Sequence, residues 1–170
     1  MDSTAVTAPT SEKAGTVFSI DDSPFFQIMR LVNLTAKPFH LRHSKEYSLT
    51  LNEWRVMMAL ASYPGLAAHE LAQLIGVDKM SISRAVRRLT AMGRLSRDPD
   101  PGDRRRTLLR LTAEGQAVYM AIAPTAKGRE RTLFSALSDD EERQLRRLLR
   151  KLEDTARKWE TEDGSDDLDC

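Results

Sequence analysis

The residues that could do chemistry here are arginines in two tight groups. Arg84 and Arg87 stand three apart with Ser83 beside them, and Asp103 directly precedes Arg104, Arg105 and Arg106. A guanidinium forks onto guanine O6 and N7 or onto a phosphate, so both groups suit a polyanion. Three consecutive arginines repel one another, and a phosphate backbone or a narrow minor groove would relieve that repulsion. Catalysis has no comparable signal. The three histidines, His40, His43 and His69, have no carboxylate or nucleophile partner in sequence, and there is no Gly-rich phosphate loop, G-x-S-x-G elbow or H-E-x-x-H. An enzyme is not expected, nor is a cofactor.

The elements around the arginines are legible from period and punctuation. A helix capped by Asp78 and ending at Gly93 buries Ile82, Ala85, Val86 and Leu89 on one stripe. Stepping 100° per residue puts Met80, Ser83, Arg84 and Arg87 on the opposite face. A preceding helix over 67–75 packs Leu71, Leu74 and Ile75 inward and closes at Gly76, whose freedom of φ suits a tight interhelical turn. After Gly93, Leu95 to Arg97 and Arg106 to Leu111 read as strands joined by a Pro/Gly/Asp loop. A basic helix face alone is ordinarily just solvated, and the basic hairpin beside it shifts the balance to duplex DNA. Helix, turn, helix and basic hairpin is the outline of a winged helix-turn-helix, so the fold class is mainly α with a small β-hairpin wing.

Flanking segments supply scaffold. Residues 1–22 lack periodicity and read as a flexible arm. Ser23 caps a helix with Pro24 at its first position, and Phe25, Ile28, Met29, Val32, Ala36 and Phe39 form an apolar stripe. Pro38 is expected to kink or split that helix, leaving residues 40–44 as a separate turn. Thr50 and Glu53 form a capping box for a helix over 51–62. A fifth helix opens at Thr112 with Pro124 as a kink. A sixth follows a second capping box, Ser138 and Glu141, and carries Leu145, Leu148, Leu149, Leu152, Ala156 and Trp159. The division is therefore arm 1–22, dimerisation helix 23–48, DNA-binding domain 49–112, dimerisation helices 113–160 and a disordered acidic tail 161–170. A domain of about 60 residues cannot cover such long amphipathic helices, which predicts a homodimer packed through the first, fifth and sixth.

Composition agrees. The 170 residues are 41% hydrophobic and 30% charged with net charge +1, and no apolar run or basic leader suggests a membrane span or signal peptide, so a cytoplasmic protein is expected. The charge is unevenly placed: residues 66–112 hold ten basic against five acidic residues, whereas the last ten hold five acidic and none basic. The single cysteine, Cys170, excludes an internal disulfide.

With these motifs in view, the chain resembles the MarR family of bacterial transcription regulators over roughly residues 31–152. The most specific match is the wing signature D-x-R-x-x-x-L-x-L-T-x-x-G, here Asp103, Arg105, Leu109, Leu111, Thr112 and Gly115. Beside it stand L-T-x-x-E-W ending at Trp54, E-L-A from Glu70, S-R-x-V-x-R-L from Ser83 and L-S-x-x-E from Leu137. The resemblance implies a triangular homodimer on a pseudo-palindromic operator, usually a repressor, released when a small, often aromatic, ligand enters between dimer apex and reading domain. It implies that Ser83, Arg84 and Arg87 read bases, and that Arg105, oriented by Asp103, enters the minor groove with Arg104 alongside. Ser81, near the positive end of its helix, suits a phosphate.

For the ligand, the resemblance implies a pocket lined by the first two helices, here Phe25, Met29, Asn33, His40, Arg42, His43, Trp54, Arg55 and Met58. An anionic aromatic effector, such as an aromatic acid or its acyl-CoA ester, would use Arg42 or a histidine as its cation. The aromatic and Met residues could equally be ordinary core and Arg42 solvated. His40 and His43 have a spacing that could share a metal, but a third ligand is missing, so no metal site is expected. No cysteine lies in the first helix, which argues against a thiol switch. The alternatives are a dimeric protein-interaction module whose basic hairpin docks an acidic partner, or a metal-responsive regulator.

Overall fold

The computed structural model describes residues 20 and 22–166, with the side chains of 38–44 and 160–166 outside that description. Six helices and one hairpin follow in the order α1 Pro24–Glu46, α2 Leu51–Ser62, α3 Ala68–Ile75, α4 Lys79–Ala91, β1 Leu95–Pro99, β2 Thr107–Leu111, α5 Ala113–Phe134 and α6 Asp139–Asp166. The architecture is mainly helical with a two-stranded wing.

The core lies where α2, α3 and α4 meet beneath the hairpin. Val56, Met57 and Leu60 of α2, Leu71 of α3, Ile82, Val86 and Leu89 of α4 and Leu109 of β2 are all buried in one cluster that also takes Ile122 from α5. The apolar stripe expected on α4 is thus the buried one. Leu74, expected to pack inward, is instead 48% exposed. On a helix of only eight residues the inward arc is narrow, and Leu71 and Ala72 fill it.

Local chemistry sets the helix ends. Thr50 Oγ1 accepts from the Glu53 N–H at 3.3 Å while a Glu53 oxygen accepts from the Thr50 N–H at 2.7 Å, closing the expected box. Ser138 and Glu141 repeat it at the head of α6, at 3.4 and 2.8 Å. Gly76 adopts φ +68°, the left-handed conformation that ends α3 and turns the chain into α4.

Two expectations about the long helices are corrected. α1 runs unbroken from Pro24 to Glu46 through position 38, so residues 40–44 are no separate turn. One proline removes a single ladder hydrogen bond, and the turns on either side continue. The acidic segment expected to be a tail from 161 begins inside α6, whose backbone stays helical to Asp166. Adding a residue to an existing helix costs far less than starting one. Residues 1–19, 21 and 167–170, with Cys170 among them, lie outside the described residues.

The helical arms contrast with the core. Phe25, Leu31 and Val32 on α1 are 68%, 49% and 45% exposed, and Leu152 and Trp159 on α6 are 55% and 60% exposed. Among the described residues no other element packs extensively along α6. Among the described residues no helix is long and apolar enough to cross a membrane.

Candidate nucleic-acid interface and effector cavity

The reading face begins at the cap of α4. Asp78 accepts the Ser81 N–H at 2.7 Å, and hydrogen bonds from the Ser81 side chain and backbone, with the nearby Arg84 charge, hold its carboxyl below the usual range. Arg84 Nη2 in turn donates to Ser81 Oγ at 3.3 Å. Ser81 therefore bonds Asp78 through both its N–H and its side chain, while its Oγ also accepts from Arg84 and helps to aim that guanidinium. Ser83, Arg84 and Arg87 are exposed, as is Met80 at the head of the same stripe.

Neighbouring arginines on α4 have different tasks. Arg87 faces solvent, whereas Arg88 Nη2 donates to the Ser48 carbonyl at 3.1 Å and Arg88 Nε lies 3.4 Å from buried Glu53. Arg94, just before β1, donates to the Tyr47 carbonyl at 2.7 Å. Together Arg88 and Arg94 tie the link between α1 and α2 to the helix-turn-helix.

The wing is a tight antiparallel ladder, with Leu95 opposite Leu111 and Pro99 opposite Thr107. Its connection is built by acids acting on backbone. Asp100 accepts from the Gly102 N–H at 2.8 Å, and Asp103 Oδ1 accepts from the Arg105 N–H at 2.9 Å. Asp103 thus orients Arg105 by shaping the turn through its backbone N–H, with no ion pair between the two side chains. An Asx turn two residues ahead satisfies the carboxylate locally.

The three consecutive arginines divide in the same way. Arg106 reaches both oxygens of Glu70 at 2.8 Å and Asp100 at 3.2 Å, fastening the wing to α3. Glu70 also accepts the Ala67 N–H at 2.6 Å, and that bond, then Arg106, holds its carboxyl below the ordinary range. Arg104 and Arg105 remain exposed. Repulsion within the run is thus partly relieved inside the protein, leaving two cations for an external anion.

The wing joins α5 through the tail of the matched signature. Thr112 Oγ1 donates to the Gly93 carbonyl at 2.6 Å and accepts the Gly115 N–H at 3.1 Å. A Cβ on Gly115 would stand 2.1 Å from the Arg94 carbonyl oxygen, so only glycine fits.

A cavity of about 980 Å³ opens between α1, α2 and α5. Of the residues expected to bind a ligand, Trp54, Arg55 and Met58 line it. Trp54 stacks on Tyr119 with ring centroids 5.7 Å apart, and Arg55 Nη1 donates to Asn52 at 3.2 Å. Phe25 is not in the lining, and Met29 and Asn33 border a separate depression of about 350 Å³ on α1. The side chains of His40, Arg42 and His43 lie outside the described residues. The sequence reading missed the α5 wall, Ile122, Thr125 and Arg129, and Leu31 and Thr35 of α1. Their spacing at 122, 125 and 129 is helical and visible in sequence, but only tertiary packing turns that face toward α1.

Comparison with known proteins agrees with this geometry. Residues 47–106 match the model of the MarR family. Transcriptional regulator HosA of Escherichia coli is 30% identical over 104 residues, which cover 61% of this chain and 77% of HosA. The HTH-type transcriptional repressor NicR of Pseudomonas putida is 28% identical over 80% of this chain and 90% of its own length. The crystal structure of the PcaV regulator of Streptomyces coelicolor with its natural ligand superposes with a TM-score of 0.70 at 28% identity, covering 83% of this chain and 99% of that one. The protein is a DNA-binding transcription regulator, not an enzyme, and the chain belongs to the MarR family of winged helix-turn-helix proteins.

Proposed function

We propose that the protein is a ligand-released repressor that grips a pseudo-palindromic operator as a homodimer in the cytoplasm. The observation that carries the DNA reading is the exposed stripe Ser83, Arg84 and Arg87 on α4 beside Arg104 and Arg105 of a wing braced by Arg106. In this reading α4 lies in the major groove with Ser81 aiming Arg84, and Asp103 presents Arg105 to the minor groove. The relative NicR is named a repressor, which supports the sign of control. The exposed apolar faces of α1 and α6, with the second half of α5, meet those of a second copy. The functional division is then a reading domain at 49–112 between dimerisation helices.

The effector enters the 980 Å³ cavity, whose size is at the upper end of small-molecule pockets. Trp54, Met58, Ile122 and Leu133 offer an apolar and aromatic lining, and Arg55 and Arg129 offer cations. That chemistry suits an aromatic acid or its acyl-CoA ester. PcaV, at 28% identity, was solved with its natural ligand, which supports ligand control in this fold. Because the cavity lies between α1 and α5 on one side and α2 on the other, occupancy would reset the distance between the two reading helices.

Selection from a random duplex pool tests the first part. The full chain should enrich one two-fold symmetric sequence and prefer it to random duplex by about a thousandfold or more, with affinity falling steeply as salt rises. Equal binding to any duplex would overturn the regulator reading. Thermal-shift measurement with aromatic acids and their CoA esters tests the second part. A compound that raises the melting temperature should also release bound operator.

A further inference from the structure

The first turn of α4 contains an apolar side chain that the fold does not use. Among the solvent-facing residues of this thirteen-residue helix, all are charged or small except Met80, which is 68% exposed. It belongs to neither the core cluster nor the arms, whose exposed apolar residues lie on α1, α5 and α6. A glutamate at this position would suit the positive end of the helix and would be more soluble.

Helical geometry places Met80 with the base readers. At 100° per residue, Arg84 lies about 40° to one side of Met80 and Arg87 about 20° to the other, so the three share one stripe. Met80 is one turn nearer the N-terminus than Arg84, about 6 Å along the axis. The N-terminal residues of a reading helix are the ones that meet base edges in the major groove. The anion site that a free helix start would offer is already taken by the Asp78 carboxylate, which binds the Ser81 N–H at 2.7 Å. What the first turn presents to DNA is therefore a thioether chain rather than a phosphate cradle. On the major-groove edges of the four bases the only apolar group is the C5-methyl of thymine.

We infer that Met80 is a specificity-determining residue that packs on a thymine methyl, requiring an A·T pair within about two base pairs of the base read by Arg84. The inference rests on α4 being the major-groove helix. It gives the operator a mixed code in each half-site, in which arginine reads a purine by hydrogen bonds and methionine reads a neighbouring pyrimidine by burial of a methyl group.

The test uses the full chain and the duplex it selects from a random pool. Each thymine of that duplex is replaced in turn by deoxyuridine, which lacks only the methyl. Wild type should lose about fourfold in affinity per half-site at one symmetry-related pair of thymines, the worth of one buried methyl group. Met80→Ala should keep the wild-type melting temperature, bind thymine and uracil duplexes equally, and enrich sequences degenerate at that position. Met80→Leu should restore the discrimination. Tolerance of deoxyuridine at every thymine would overturn the inference, as would unchanged uracil sensitivity in Met80→Ala or a loss in that variant that is equal on all duplexes. If wild type enriches no sequence at all, the regulator reading falls as well.

Discussion

The reading domain and the helical arms solve the problem of apolar surface in opposite ways. In the domain, each apolar stripe meets another: Leu71, Ile82, Val86, Leu89 and Leu109 are essentially without solvent contact. In the arms, Phe25, Leu31, Leu152 and Trp159 keep roughly half or more of their surface in water. Apolar residues recur at helical spacing in both regions, so the difference is one of partners. The domain carries its own, and the arms leave theirs exposed among the described residues. The buried core and the exposed arginines of α4 and the wing therefore lie in one region, and in the proposed dimer the other would set the spacing of two reading heads.

The largest effect should come from removing an arm. Truncation after Leu137 should give a monomer in sedimentation and lower operator affinity by about a thousandfold, since two linked half-site contacts become one. Persistence of the dimer would show that the arms are covered some other way. Next comes a paired substitution that contrasts the regions directly. Leu89→Ala in the core should cost about 2–5 kcal/mol in denaturant unfolding at any protein concentration. Leu152→Ala should leave the domain's own unfolding intact and act only through a melting temperature that depends on concentration.

A smaller loss is expected at the wing. Arg105→Ala should weaken operator binding by about 1–3 kcal/mol, with the dimer and the melting temperature unchanged. An unaltered gel-shift affinity would remove Arg105 from the interface. The smallest effect concerns acid. The folded Glu70 carboxyl is held below its ordinary range by the Ala67 N–H and by Arg106, so its contribution is complete above that range and is lost as pH falls through the depressed value. Glu70→Gln should therefore flatten the acid limb of the melting temperature. The change should be modest because Glu70 and Arg106 are both about one-third exposed.

Much of the domain was legible because its signals are local. Thr50 with Glu53, Asp78 before α4 and Gly76 after α3 act within one turn of helix and need no distant partner, as do Ser138 and Glu141 at the head of the α6 arm. Period alone separated Ile82, Ala85, Val86 and Leu89 from Ser83, Arg84 and Arg87. What the sequence did not show includes contacts whose partner is remote in the chain. Nothing near Arg106 shows that it will meet Glu70, thirty-six positions away, and nothing near Arg88 shows that it will bind Ser48, forty away. Leu74 looks like core until Leu71 and Ala72 fill the short arc available to α3.

The sequence by itself determined the helix-turn-helix, the basic hairpin and which face of α4 carries arginine, because spacing, caps and glycines encode those over a few residues. Only the tertiary structure decided how the arginines divide their work. Arg106, Arg88 and Arg94 are held by acids and carbonyls within the protein, while Arg84, bonded only to neighbouring Ser81, and Arg87, Arg104 and Arg105 stay exposed. The same is true of the cavity, whose α5 wall exists only once Ile122 has packed beside α2. The physical reason is that charge pairing and burial depend on which surfaces meet in space, and that is a property of the assembled fold rather than of any one stretch of chain.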